Sequence, residues 1–320
     1  MGAWDALFGA DRPEGALAMN AYLDMPEPVP TGIPKLDQLL GGGMTRGVTV
    51  VGGGPGAGKT VTACQAAANM AARGQKVIYA SYETAWEVVQ LRCASCWSVT
   101  EPSVENFSWS QVANGTERQS RPAYAGKGRD ELSRYLVGSA MDPITQALTA
   151  WDEGPGRNLA VLTSGNSVAD LCDACRRVAW ETGQPPVLIV DYIQIVPTDA
   201  TGRQDDNERV TEVMGTLRAH AYDTDGSNVL ALSSLRKLTA GERKDGPSLD
   251  WFRGSAHVGY DAEQAVIITV DTQKDADGRL SPSRAADGAT ETRMTVVKNR
   301  TGATGTSIPT LLYGWSNYIR

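Results

Sequence analysis

Three groups of residues have the types and spacing to handle phosphate. The first is Gly53-Gly54-Pro55-Gly56-Ala57-Gly58-Lys59-Thr60, a G-x-x-x-x-G-K-[ST] loop. Backbone N–H groups in such a loop converge on the α- and β-phosphates of a nucleotide. The lysine reaches the β- and γ-phosphates and the hydroxyl sits on Mg²⁺. The expected ligand is therefore ATP with Mg²⁺, held by residues 53–60 and by Val61 in the helix that follows. The second group is Val187-Leu188-Ile189-Val190-Asp191, an apolar run ending in an acid. At the carboxyl end of a parallel strand, Asp191 can join Thr60 in holding the metal. The third is Glu83, which follows Lys76-Val77-Ile78-Tyr79-Ala80-Ser81. It can orient an attacking water or, more plainly, sit at the start of the helix after it. Position alone leaves both open.

These residues need a scaffold that brings strand ends together. Val48-Thr49-Val50-Val51 reads as a buried strand before the loop, and Val61 to Ala72 as a helix whose N-terminus receives phosphate. Further strands are expected at 76–81, 159–162, 187–191, 228–233, 265–270 and 292–298. Helices are expected at 85–96, 168–181 and 208–222. The alternation implies a mostly parallel, twisted α/β sheet with helices on both faces. Residues 31–40 read as a short capped helix closed by Gly41-Gly42-Gly43, and 98–158 are poorly periodic. Residues 1–30 read as an arm, with a short helix at 14–23 stopped by Pro26, Pro28 and Pro30. The arm is either a frayed tail or a segment that docks on a neighbouring subunit; residues 31–320 form the main domain.

Composition narrows the classes. The 320 residues are 41% hydrophobic and 21% charged, an ordinary globular profile. No apolar run reaches membrane-spanning length, so no membrane partner is expected. The net charge of −7 argues against a surface that coats nucleic acid broadly, but leaves room for a few cations lining a channel. Five cysteines, an odd number, point to the reducing cytoplasm. Cys93-x-x-Cys96 and Cys172-x-x-Cys175 could in principle hold zinc. Helical spacing and the long gap between the pairs favour buried thiols instead. His220 and His257 lack ligand spacing and read as structural or surface residues.

The motifs together resemble the ATPase domain of DnaB-type replicative helicases, within the RecA-like superfamily, over residues 31–315. Thr31-Gly32-Ile33 with Leu36-Asp37 is similar to the family's opening motif, and Ser81-Tyr82-Glu83 to its Ser-x-Glu. Asn166-Ser167-Val168 through Cys175-Arg176-Arg177 is similar to the helix before its Walker B strand. Val190-Asp191-Tyr192-Ile193-Gln194 resembles its Asp-Tyr-Leu-Gln signature. Arg253-Gly254-Ser255 with Asp261-Ala262, and Lys298-Asn299-Arg300-Thr301-Gly302, resemble its later motifs.

The resemblance implies Glu83 as the catalytic glutamate and Asp191 as the Walker B acid. It implies Lys298 and Arg300 as cations acting in trans on a neighbour's γ-phosphate; the plainer reading of both is a solvated strand end. A trans role requires a homo-oligomer, by family expectation a ring of six. Two loops, Pro197 to Arg209 with Arg203 and Leu235 to Gly246 with Arg236, Lys237, Arg243 and Lys244, would line the channel and track single-stranded DNA. They lack aromatic residues for base stacking, so phosphate contacts are expected. The interspersed acids fit ordinary solvated loops equally well. A loader or primase would be a further partner. Two departures stand out. About thirty residues precede the core where the family carries a separate N-terminal domain, and Ser234 stands where the family commonly has a glutamine that couples γ-phosphate to the DNA loops. Two alternatives therefore stand beside the helicase: a RadA-like recombination or branch-migration ATPase, and an ATP-gated scaffold that recruits a partner.

Overall fold

The computed structural model describes residues 26–113, 143–199, 205–223, 226–274 and 279–320. The helix expected at 14–23 and Arg203 lie outside these residues. Strands β1 (Val48–Gly53), β2 (Val77–Ser81), β3 (Leu159–Leu162), β4 (Val187–Asp191), β5 (Val229–Ser234) and β6 (Gln264–Val270) pair in parallel in the order β6-β1-β5-β4-β2-β3. All residues of β1, β2 and β4 are buried, as their unbroken apolar runs demand of a sheet covered on both faces. A two-stranded ribbon, β7 (Thr272–Lys274) with β8 (Leu280–Pro282), stands apart. Three antiparallel strands extend the sheet beyond β6: β9 (Thr290–Asn299), β10 (Ser307–Tyr313) and β11 (Tyr318–Ile319).

Helices α1 (Pro34–Leu40), α2 (Lys59–Ala72), α3 (Trp86–Thr100), the one-turn α4 (Trp109–Ala113) and α5 (Pro143–Glu153) follow in chain order. They are succeeded by α6 (Val168–Thr182), α7 (Asp206–Tyr222), α8 (Ala240–Lys244) and α9 (Ser255–Asp261). The first core joins α1, α2, α3 and α5 to the sheet through Leu36, Met70, Val89, Trp151 and Ile189. The second joins α6, α7 and α9 through Leu171, Met214, Leu217, Val258 and Leu188. Ile189 and Leu188 are neighbours on β4 and face opposite ways, so the two cores lie on the two faces of one sheet.

Local sequence sets several boundaries. Asp37 accepts from the Thr31 N–H (2.8 Å), the Thr31 hydroxyl (2.6 Å) and the Gly32 N–H (2.9 Å), tying the strand-like approach to α1. Ser167 and Asp170 form a reciprocal capping box on α6, and Asp205 and Glu208 do the same on α7. The poorly periodic stretch 98–158 contains α5, whose Ala147 and Trp151, at i and i+4, reach the first core. Cys93 belongs to that core and Cys175 to the other, so the two C-x-x-C pairs lie on opposite faces of the sheet and cannot form one four-thiolate site. All five cysteines are free and buried. Among the described residues, no helix is long and apolar enough to cross a membrane.

Candidate active site

The phosphate loop leaves the end of β1 and enters α2. Gly56 and Gly58 adopt φ of +73° and +102°, which a side chain would strain. Their backbone turns so that α2 begins at Lys59, and its first-turn N–H groups, which have no intrahelical acceptor, are presented to the loop. Gly53, Pro55, Gly56, Gly58, Lys59, Thr60 and Val61 line a cleft of about 620 Å³. Ala57 instead turns its methyl into the first core, and the Ala57 N–H donates to the Gly54 carbonyl. The Lys59 ammonium donates to the carbonyls of Gly53 (2.8 Å) and Gly54 (3.1 Å). Burial pulls its pKa down, while Asp191 and Glu83 pull it back up.

Asp191 ends β4, one strand beyond β5 from the loop, and is 3% exposed. Its Oδ2 accepts from the Thr60 hydroxyl (3.0 Å) and from the Tyr79 phenol (2.8 Å). Burial raises its pKa and these two hydrogen bonds oppose the rise. A hydroxyl and a carboxylate in contact at the head of the loop are the hard oxygen ligands Mg²⁺ prefers, so the residues fit that ion. Glu83 lies exposed at the end of β2, beside β4, and lines the same cleft. It precedes α3 by three residues, and the N-cap of α3 is Ala85. Glu83 is therefore not that helix's cap.

The cleft contains residues that the sequence did not single out. Arg92, Trp109, Leu312, Gly314 and Asn317 line its wall beside Tyr192, Ser234 and Leu235. The Arg92 guanidinium stacks over the Trp109 ring at 4.1 Å, and the Trp109 indole N–H donates to the Gly314 carbonyl (2.8 Å). These contacts join segments far apart in the chain, which explains their absence from any local pattern.

Beyond Asp191, the chain links the strand end to both loops expected to face DNA. The Gln194 amide donates to the Ser233 hydroxyl (2.8 Å) and the Arg253 carbonyl (3.2 Å), and its oxygen accepts from the Ser234 N–H (3.2 Å). Arg209 donates to the Gln194 carbonyl (3.2 Å), and Asp206 pairs with both Arg209 and Arg253. A glutamine thus bridges the two strand ends even though Ser234 occupies the other position. In the second loop, Arg236 is held by Glu242 at 2.6 Å, whereas Lys237 and Lys244 are exposed. Arg243 lies in α8.

Lys298 and Arg300 are not part of this cleft. Asn299 pairs with Gln264, at the start of β6, so both cations sit at the opposite end of the sheet from Gly53. Lys298 donates to the carbonyls of Gly259 and Tyr260. Arg300 donates to the Tyr260 carbonyl (2.8 Å) and pairs with Glu263 (3.1 Å). Burial and the neighbouring Arg300 lower the Lys298 pKa.

A phosphate loop on one parallel strand, an acid on the strand two positions away and a glutamate on the next define a RecA-like P-loop ATPase core. More narrowly, the chain belongs to the family of DnaB-like helicase C-terminal domains, whose profile matches residues 139–313; a KaiC-type ATPase profile matches residues 29–133. The replicative DNA helicase DnaB of Geobacillus stearothermophilus is 22% identical over 281 residues, 87% of this chain and 53% of that protein. This chain thus spans about half the length of that relative. The DNA repair protein RadA of Brucella abortus is 35% identical, but over 96 residues, 29% of this chain and 21% of that protein. A solved DnaB-like replicative helicase, described with its interactions with primase, superposes with a TM-score of 0.69 at 17% identity. The match covers 97% of this chain and 67% of that one, and shows the shared fold.

Proposed function

We propose that this chain is the ATP-hydrolysing motor of a ring-forming DNA helicase or translocase on single-stranded DNA. The observation that carries the reading is the separation of the two cationic groups. Lys59 lies in the cleft, while Lys298 and Arg300 lie at the far end of the same sheet. Within one protomer the second pair does not line the nucleotide cleft; supplied by an adjacent copy, it can. Repetition of such a head-to-tail contact closes a ring, for which six copies is the family expectation.

In this reading the loop N–H groups and Lys59 hold the phosphates, and Thr60 and Asp191 hold Mg²⁺. The ion held there would supply positive charge against the negative charge that develops in phosphoryl transfer. Glu83 orients the attacking water from the edge of the cleft. Arg300 and Lys298 of the next copy stabilise charge on the transferred group. Gln194 couples the strand end beside Asp191 to the loops that carry Arg203, Arg236, Lys237, Arg243 and Lys244, and so passes the state of the site to the DNA. A loader or primase would be the outside partner of a cytoplasmic replication machine. The RadA-like alternative has support over a shorter part of the chain.

The test is ATP turnover with and without single-stranded DNA, alongside strand displacement on a forked duplex. Stimulation together with displacement supports the helicase. Stimulation alone supports a translocating or accessory ATPase, and a lack of both supports the scaffold.

A further inference from the structure

Among the described residues, Tyr79 is the one fully buried tyrosine of the first core: 0% exposed, at the centre of β2, in the same cluster as Cys64, Val89, Cys93 and Ile189. A phenylalanine would fill this space without a polar atom. Burying a hydroxyl is costly unless it is hydrogen-bonded, so the use made of this phenol matters. Its O–H donates to Asp191 Oδ2 at 2.8 Å, and the Cys64 sulfur lies 3.9 Å from the phenol oxygen.

Strand register creates the contact. Ser81 is paired with Asp191 and Tyr79 with Ile189. Residues two apart on a strand share a face, so Tyr79 and Asp191 are diagonal neighbours on the same side of the sheet. Diagonal pairs lie within reach of an aromatic side chain. Asp191 Oδ2 therefore receives two hydroxyls: Thr60 from the phosphate loop and Tyr79 from the sheet interior. The two donors differ in kind. Thr60 belongs to the loop that meets the nucleotide, whereas Tyr79 is locked by packing and touches nothing but protein.

We propose that Tyr79 is a positioning residue for the metal site, fixing the Asp191 carboxylate from beneath so that Thr60 and Asp191 bind the divalent cation of a metal–nucleotide complex. The inference rests on the nucleotide-site reading given above. Partners that orient a ligating carboxylate are typically worth 10–100-fold in metal affinity, and Tyr79 acts only through Asp191.

The experiment compares the 320-residue chain with Tyr79→Phe. Binding of a fluorescent non-hydrolysable ATP analogue is measured in EDTA, and Mn²⁺ binding to the protein–analogue complex is measured by electron paramagnetic resonance. The expected result is unchanged metal-free analogue affinity together with Mn²⁺ affinity weakened about tenfold or more. Equal Mn²⁺ affinity in the two proteins overturns the role of the phenol and leaves the nucleotide site intact. Absence of metal-dependent binding in the unsubstituted chain overturns the site reading and this proposal with it. Should Tyr79→Phe not fold, 3-fluorotyrosine placed at position 79 supplies a ¹⁹F resonance. It should move further when Mg²⁺ is added to the analogue complex, and a resonance indifferent to Mg²⁺ overturns the proposal.

Discussion

Lys59 and Arg300 stand at opposite ends of one sheet. Lys59 donates to the Gly53 carbonyl where β1 ends, while the Arg300 N–H donates to the Glu263 carbonyl just before β6 begins. β1 and β6 run parallel, with Gly53 beside Ile268 and Thr49 beside Gln264. A strand advances about 3.3 Å per residue, so the sheet itself holds the two cations apart.

Arg300→Ala should leave ATP binding nearly unchanged and lower turnover by about 10³–10⁵, the range for loss of an arginine finger. Equilibrium nucleotide binding and steady-state hydrolysis, measured on the same preparation, separate the two effects. A loss of binding equal to the loss of turnover would instead mean that Arg300 supports the fold through Glu263.

Glu83→Gln removes the carboxylate but keeps the side chain's length. Turnover should fall by about 10²–10⁴, as expected for loss of a positioned general base. The nucleotide should stay bound, because Glu83 is exposed at the rim of the cleft and the phosphate contacts are proposed to come from the loop. Single-turnover hydrolysis checks this directly. Undiminished chemistry would remove Glu83 from the catalytic site.

Much of this site is legible in the chain because its parts are local. A phosphate loop is contiguous, and its strand and helix are its immediate neighbours. The ends of β3 and β4 coincide with the expected limits, since short apolar runs bounded by polar residues leave little choice. The C-terminal strands β10 and β11 are less legible: they carry alternating burial at a sheet edge and mark no motif. Tyr79 was hidden for a different reason. In an apolar run it counts as one more large core residue, and only strand register brings its phenol to Asp191. Arg92 and Trp109 likewise meet only because α4 packs back beside α3.

The second loop presents unequal cations. Lys237 is exposed, whereas Arg236 is held by Glu242, whose carboxyl is pulled down to about 2 by Arg236 and by the hydrogen bonds from the Thr239 N–H and hydroxyl. Lys237→Ala should reduce the slope of log affinity against log salt for single-stranded DNA by about 0.7, one phosphate contact. Glu242→Gln should release Arg236 and steepen the slope. Fluorescence-anisotropy titrations across a salt series measure both. A slope unmoved by either substitution removes this loop from the DNA path.

His220 offers a stability test remote from catalysis. It is buried on α7, and its Nε2 accepts from the Ser227 N–H at 3.4 Å. Burial lowers its pKa, so below the unfolded value of about 6.5 the unfolded chain takes up more protons than the folded one. Its contribution to stability is thus complete above about pH 6.5 and lost as pH falls toward the lowered folded value. The thermal midpoint should drop over this window, and His220→Asn should flatten the drop. Identical pH profiles for the two proteins would contradict the assignment.

The central claim, that each nucleotide is served by two copies of this chain, is tested most directly by mixing defective subunits. Lys59→Ala lacks the cradle and Arg300→Ala lacks the finger, so each alone should be nearly inactive in ATP hydrolysis. Co-assembled in equal amounts, the Arg300→Ala cradle meets the Lys59→Ala finger at about a quarter of head-to-tail interfaces. The account predicts that hydrolysis returns in the mixture, toward that fraction of the unsubstituted rate. A mixture as inactive as its components, with co-assembly verified, would contradict it.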